Sequence, residues 1–278
     1  MKSMAEVLIW ALVATGLAAG SCFAGAWTED KGAVYHKLTV NSYEADEAFN
    51  DSENTVPLAD HGKFSDTNIS YYLEYGISDR LTALGSVSLK QLESDTDIRV
   101  ARTDGFSDLD LGLKYRLLSG DMGVVSVQGL VKVPELYDED EAVAMGNGQY
   151  DVEFRILYGR SLYPVVPGYF NIEAGYRFRA DEPADELRYL VEFGMDITQA
   201  IYSRLKLDGI LGMNNQDSAT DVSDNPTTTL NCDLGKLELA LGFKLSNRWN
   251  LELGYRNEIY GKNTAAGENL SLSLILAY

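Results

Sequence analysis

From residue 27 to the last residue, apolar side chains recur at every second position, in one segment after another. That is the period of a β-strand, whose successive side chains point to opposite faces. Leu109, Leu111, Leu113, Tyr115 and Leu117 share one face, while Asp108, Asp110, Lys114 and Arg116 share the other. Phe170, Ile172, Ala174, Tyr176 and Phe178 alternate in the same way with Asn171, Glu173, Arg177 and Arg179. The stretches 187–195, 237–245 and 249–256 repeat the pattern. Twelve segments are predicted on this basis, at 32–44, 63–75, 80–92, 105–117, 123–134, 149–160, 168–180, 186–197, 200–213, 232–245, 249–260 and 268–278. Most are long enough for a tilted strand to cross a hydrocarbon layer, which takes about nine residues or more. A soluble sandwich uses strands of about five or six.

The connections alternate too. Long polar or acidic stretches follow the odd segments, at 45–62, 93–104, 135–148, 181–185, 214–231 and 261–267. Tight links follow the even ones, such as Gly76-Ile77-Ser78-Asp79, Thr198-Gln199 and Ser246-Asn247-Arg248. Outer-membrane barrels have an even strand number, short periplasmic turns and longer outer loops. The last segment sets Leu270, Leu272, Leu274, Leu276 and Tyr278 at alternate positions. It resembles the terminal-strand signal through which the outer-membrane assembly machinery recognises its clients. The predicted fold class is therefore all-β: a closed antiparallel transmembrane β-barrel of about twelve strands, embedded in outer-membrane lipid and lipopolysaccharide.

Closure is a physical requirement. An unpaired backbone N–H or C=O in hydrocarbon costs several kcal/mol, so the first and last segments must pair. Twelve strands spaced about 4.8 Å apart and tilted about 40° give a backbone radius of roughly 12 Å. The apolar faces then look onto lipid. The inner face receives Asp108, Asp110, Lys114, Arg116, Asp151, Glu153, Arg155, Glu173, Arg177, Arg179, Arg188, Glu192, Arg204, Lys206, Asp208, Lys236, Glu238, Lys244, Glu252 and Arg256. On the lipid side, a charge of this kind would cost up to about 2–4 kcal/mol at mid-depth.

The first residues read as a signal peptide, 1–26, ahead of a barrel at 27–278. Lys2 precedes fourteen uncharged residues, Val7 to Gly20, too few for the roughly twenty of a helical span. Small residues at Ala24 and Ala26 predict cleavage before Trp27, with cleavage after Ala24 as the second reading. Cys22 raises a lipoprotein reading, but Ala19-Gly20-Ser21 lacks the usual leucine. If Cys22 leaves with the leader, Cys232 is left without a disulfide partner. The net charge of −19 argues against a nucleic-acid partner, which needs a basic face.

Three stretches resemble the outer-membrane proteins of the phenol-degradation meta-pathway and the related XagA-like barrels. They are Ala26-Trp27-Thr28 with Lys31-Gly32, the run Tyr72 to Thr82 (YLEYGISDRLT), and the run Gly105 to Leu117 (GFSDLDLGLKYRL). The resemblance covers the first half well and the second half by pattern alone. It implies an outer-membrane barrel that transports small organic molecules, and it brings no site residues with it.

Candidate functional residues follow from the inner face. Arg116, Arg155, Arg177, Arg179, Arg188, Arg204 and Lys206 could select anionic solutes, as charged rings do in pores. Alternatively they pair with Glu153, Glu173, Glu192 and Asp208 as a structural ladder. The run Asp138-Glu139-Asp140-Glu141 could bind a hard cation, although its spacing fits a solvated loop better. Tyr71, Tyr75, Tyr115, Tyr158, Tyr169, Tyr189, Tyr202, Trp249, Tyr255 and Tyr278 fit interfacial girdles or, alternatively, a ligand-stacking site. His36 falls on the outward phase with no serine at a diagnostic spacing, and His61 sits in a loop. No metal or cofactor motif is present, so no enzyme is expected. Only residues 27–31 precede the first segment, which leaves no room for a plug domain or hatch. The expected function is a passive channel for small, anionic or organic, solutes. The alternative is a structural or adhesion barrel with its lumen shut by ion pairs and its loops 45–62 and 214–231 binding partners.

Overall fold

The computed structural model describes residues 25–138, 141–180, 183–215, 224–228 and 231–278. They form β1 (Val34–Phe49), β2 (Thr55–Pro57), β3 (Lys63–Ser78), β4 (Leu81–Asp95), β5 (Val100–Phe106), β6 (Leu109–Gly120), β7 (Gly123–Val133), β8 (Asp151–Ser161), β9 (Gly168–Arg179), β10 (Glu186–Asp196), β11 (Ile201–Gly212), β12 (Asp233–Lys244), β13 (Trp249–Lys262) and β14 (Thr264–Ala277). Every long strand pairs antiparallel with its neighbours, and β14 returns to β1. Leu38 faces Leu274 and Val40 faces Leu272 across that seam. No sheet edge is left along it for lipid to meet.

The wall has twelve positions, as the alternation predicts, because two of the fourteen strands are fragments. β2 is a three-residue flap on the outer end of β1. β5 and β6 share one position: β4 pairs with β6 through Leu81–Ser86 and with β5 through Leu89–Asp95. The expected single strand 105–117 is thus broken at Ser107-Asp108. The Ser107 N–H still bonds Ser88 O at 2.9 Å, while Asp108 accepts from Tyr137 Oη at 2.7 Å. β7 pairs with β6 and β8 and not with β5.

Parts of three expected loops, 45–62, 93–104 and 261–267, are wall. β1 and β4 run on to Phe49 and Asp95, and 261–267 is a tight turn at Asn263 between β13 and β14. Asp, Glu and Ser read as loop in sequence. Here they extend strands above the lipid, where water satisfies them. The wall is accordingly uneven, with 16 residues in β1 and 11 in β7. At about 3.3 Å per residue and about 40° of tilt, that is roughly 40 Å against 28 Å. Both heights exceed the roughly 25 Å apolar band of such barrels.

The side chains sort as the pattern predicts. Leu38, Val40, Ile69, Leu89, Leu111, Leu113, Phe154, Ile156, Leu239 and Leu270 are exposed, which in a barrel means facing lipid. His36 lies among them, hydrogen-bonded to Tyr71 and stacked on Tyr278. Glu74, Lys114, Glu153, Asn171 and Glu252 are buried, turned inward. No helix among the described residues is long and apolar enough to cross a membrane.

The lumen as candidate functional site

Inward-facing positions from all twelve wall positions meet in the lumen, and three layers succeed one another from the outer mouth to the periplasmic mouth. The outer layer is apolar. Tyr43, Phe64, Leu92, Ala101 and Ala265 from the wall pack with Val143 and Met145, which come from the loop between β7 and β8. The loop is pinned inside. Val143 N–H donates to Thr103 Oγ1 at 3.0 Å, and Gly148 N–H donates to Tyr137 Oη at 3.0 Å. A second loop crosses over it, where Asn225 Nδ2 donates to Ala144 O at 2.6 Å. Asp224 in that loop pairs with Arg99 of the β4–β5 turn. Of the acidic run 138–141, residues 139 and 140 lie outside the described residues, as do parts of 181–185 and 214–231.

The middle layer is ionic on one wall. Glu153 sits between Arg155 at 2.6 Å, Arg177 at 2.9 Å and Arg188 at 3.6 Å. Arg155 also holds Glu173 at 2.7 Å, and Arg179 and Arg188 share Glu186 at 3.1 and 2.8 Å. Farther round, Arg204 gathers Glu192, Glu238 and Glu252 at 2.8, 3.2 and 2.6 Å. Lys37 joins Glu252 at 2.8 Å and Lys206 joins Glu238 at 3.0 Å. The strand period explains the density of contacts: acids and bases at inward positions of adjacent antiparallel strands face each other directly or diagonally. Of the candidate lumen residues, only Arg116 stands outside both clusters, lower on β6 near the periplasmic turn.

The opposite wall carries hydroxyls and amides. Thr39 meets Ser273 at 2.9 Å, Asn41 donates to Asn68 at 2.9 Å, and Ser88 donates to Ser70 at 2.8 Å. These residues on β1, β3, β4 and β14 were not singled out in the sequence. Their signal was present: Thr39 and Asn41 alternate with Leu38 and Val40. An inventory restricted to charged residues passes over them.

The periplasmic layer is made by the chain ahead of β1, where neither a plug domain nor a hatch was expected. Residues 25–31 form a strap that lies inside the mouth. Lys114 Nζ, which also holds Glu74 at 2.9 Å, donates to Gly25 O at 2.9 Å. Ser126 Oγ donates to Ala26 O at 2.5 Å, and Ala26 N–H donates to Asn171 Oδ1 at 3.1 Å. The strap then crosses to the β3–β4 turn, where Glu29 N–H donates to Thr82 Oγ1 at 2.9 Å and Thr28 Oγ1 donates to Asp79 O at 2.9 Å. Burial pushes the Glu29 carboxyl above its usual range; the negative charge of Glu74 adds to this and Lys114 opposes it. A few residues suffice because they run across the opening and do not fill it as a separate domain.

Beside the strap lies a cavity of about 280 Å³ lined by Tyr163, Tyr169, Tyr202, Arg204, Asn250 and Glu252, among others. Tyr169 and Tyr202 thus leave the expected outer girdle. Each falls on the inward phase of its strand, with its hydroxyl toward Glu192 and Glu252 respectively. Tyr71, Tyr75, Tyr115, Trp249, Tyr255 and Tyr278 are exposed on the outer face.

No protein-family model matches the chain, and no curated protein matches it. Its likeness to solved structures is one of fold. It superposes on an outer-membrane channel from Pseudomonas putida F1 with TM-score 0.74 and 14% identity, over 91% of this chain and 98% of that one. The KdgM porin in complex with disordered oligogalacturonate gives TM-score 0.52 and 6% identity, over 87% and 99%. The NanC porin gives 0.52 and 9%, over 86% and 98%. The chain therefore has the fold of the outer-membrane β-barrels: twelve wall positions, closed first to last, around a polar interior.

Proposed function

We propose that the protein is an outer-membrane channel for small polar organic solutes, and that it favours uncharged over anionic ones. The observation that carries this reading is the division of the lumen into two walls. On one, each cluster of arginines is held by carboxylates. On the other, Ser, Thr and Asn side chains, Ser273 buried and Thr39, Asn41, Asn68, Ser70 and Ser88 part-exposed, offer uncharged donors and acceptors beside the closed ion pair Lys90–Asp66 at 3.4 Å. A ring of free guanidinium groups would attract anions, but Arg155, Arg177, Arg188 and Arg204 are each within reach of two or more acids. The periplasmic cavity, with its tyrosines and paired charges, suits solutes that combine an apolar body with a hydroxyl.

The resemblance to the phenol-degradation barrels points the same way, towards small organic molecules. A leader removed on export, insertion through the terminal strand bearing Leu270, Leu272, Leu274, Leu276 and Tyr278, and a belt in contact with lipid and lipopolysaccharide belong to the same reading. A role in catalysis has no support in the lumen or around His36.

Liposome swelling with purified protein tests the channel. Small polyols and phenolic alcohols should enter faster than organic anions of equal size. An anion preference would overturn the solute class. A folded barrel that passes none of them would favour a structural or adhesive role.

A further inference from the structure

The strap has an anchor, and the anchor says where the leader is cut. Gly25 opens the strap, and its carbonyl is held by Lys114. A Cβ on it would lie 2.7 Å from Asn171 Cγ. Ala26 is completely buried, and Trp27 packs over Gly159, where a Cβ would fall 2.6 Å from the indole. Gly25 and Ala26 together receive three hydrogen bonds from or give them to Lys114, Ser126 and Asn171.

We propose that the chain is cut between Ala24 and Gly25, not before Trp27, and that the retained Gly25-Ala26 pair locks a strap across the periplasmic half of the lumen. This rests on the reading that an exported leader is removed. The step is peptide hydrolysis by a signal peptidase: water adds across the Ala24–Gly25 bond, the carboxylate stays on Ala24 and the new ammonium is on Gly25. Cys22 and Ala24 supply the small residues that such a peptidase requires at −3 and −1.

A cut before Trp27 would discard both anchor residues. Lys114 Nζ, Ser126 Oγ and Asn171 Oδ1 would then lose their strap partners in a buried place, where polar groups are normally satisfied. With the strap in place Lys114 and Glu74 are each only 1% exposed. The small size of residues 25 and 26 serves a lumenal seat, in addition to any demand of the peptidase.

The intact mass of the protein extracted from outer membranes is the first test. A chain beginning at Gly25 is expected. A chain beginning at Trp27, or a lipid-modified Cys22, would overturn the proposal. Strap docking is read separately. With Trp249→Phe, Trp27 is the one tryptophan left after leader removal, since the sequence has three and Trp10 leaves. Its acrylamide quenching should be low, and should rise several-fold when a foreign leader is fused directly to Trp27. Gly159→Ala, which crowds the indole and leaves the anchor in place, should raise quenching too. Unchanged quenching in both variants would sink the strap. None of these readouts needs solute flux, so their failure is separable from failure of the channel reading.

Discussion

Glu153 shows how much one inward carboxylate can organise. It touches three guanidinium groups while 1% exposed. Replacing it by Gln leaves Arg155, Arg177 and Arg188 short of a counter-charge in a low-dielectric interior, a loss of about 3–5 kcal/mol when one partner of a buried pair is removed. Urea unfolding in detergent should show it as a lowered midpoint, and an unmoved midpoint would contradict the clustered geometry. Glu29 gives a second residue-scale expectation. Its pKa in the docked strap lies above the free value of 4.5, chiefly through burial and with Glu74 adding to it, while Lys114 pulls the other way and Asp30 adds a little. A raised acid pKa means that docking is favoured where Glu29 is protonated. That contribution is complete below the free value and fades as pH rises through the docked one. Shielding of Trp27 should therefore be greatest under acid conditions and weaken towards neutrality, and Glu29→Gln should flatten the dependence. A profile running the other way would exclude this assignment.

At the scale of elements, the alternation by itself places twelve wall positions. Period-2 patterning fixes which face a strand turns to lipid, because a shift of one residue would bury every leucine and expose every charge. It was silent on strand ends and on the break at Ser107-Asp108. The phase of the run Gly105 to Leu117 flips at that break, because the register against β4 slips by one residue: Phe106 faces outward opposite Leu89, whereas Asp110 faces inward opposite Ser86. The inward fold of residues 141–148 was equally hidden. Val143 and Met145 are ordinary loop residues in sequence, and only contact with Phe64 and Leu92 makes them part of an apolar lid. Val143→Asp puts a charge into that cluster and should loosen the lid, raising single-channel conductance several-fold while the barrel stays folded. Equal conductance would mean that the loop does not restrict passage.

For the whole molecule, the formal charge of −19 must sit largely outside the lumen, because most of the inward acids face inward bases. Glu44, Glu93, Asp95, Asp97 and Glu268 crown the outer rim. Such a rim repels anions over about 30 Å at 0.01 M salt and only about 3 Å at 1 M. Reversal potentials should therefore show a mild cation preference in dilute salt that vanishes in concentrated salt. A preference that persists at high salt would locate the selectivity inside the lumen. The amino-acid sequence by itself determined the strand period, the lipid-facing and lumenal faces, the closed even-numbered wall and the set of charges inside, because each depends only on a side chain's phase along its own strand. Tertiary structure alone decided which acid meets which base, that residues 143–145 pack inside the outer mouth, that Tyr169 and Tyr202 line a cavity and that Gly25-Ala26 seat a strap. Those outcomes depend on distances between residues as far apart as Ala26 and Asn171, which no local pattern encodes.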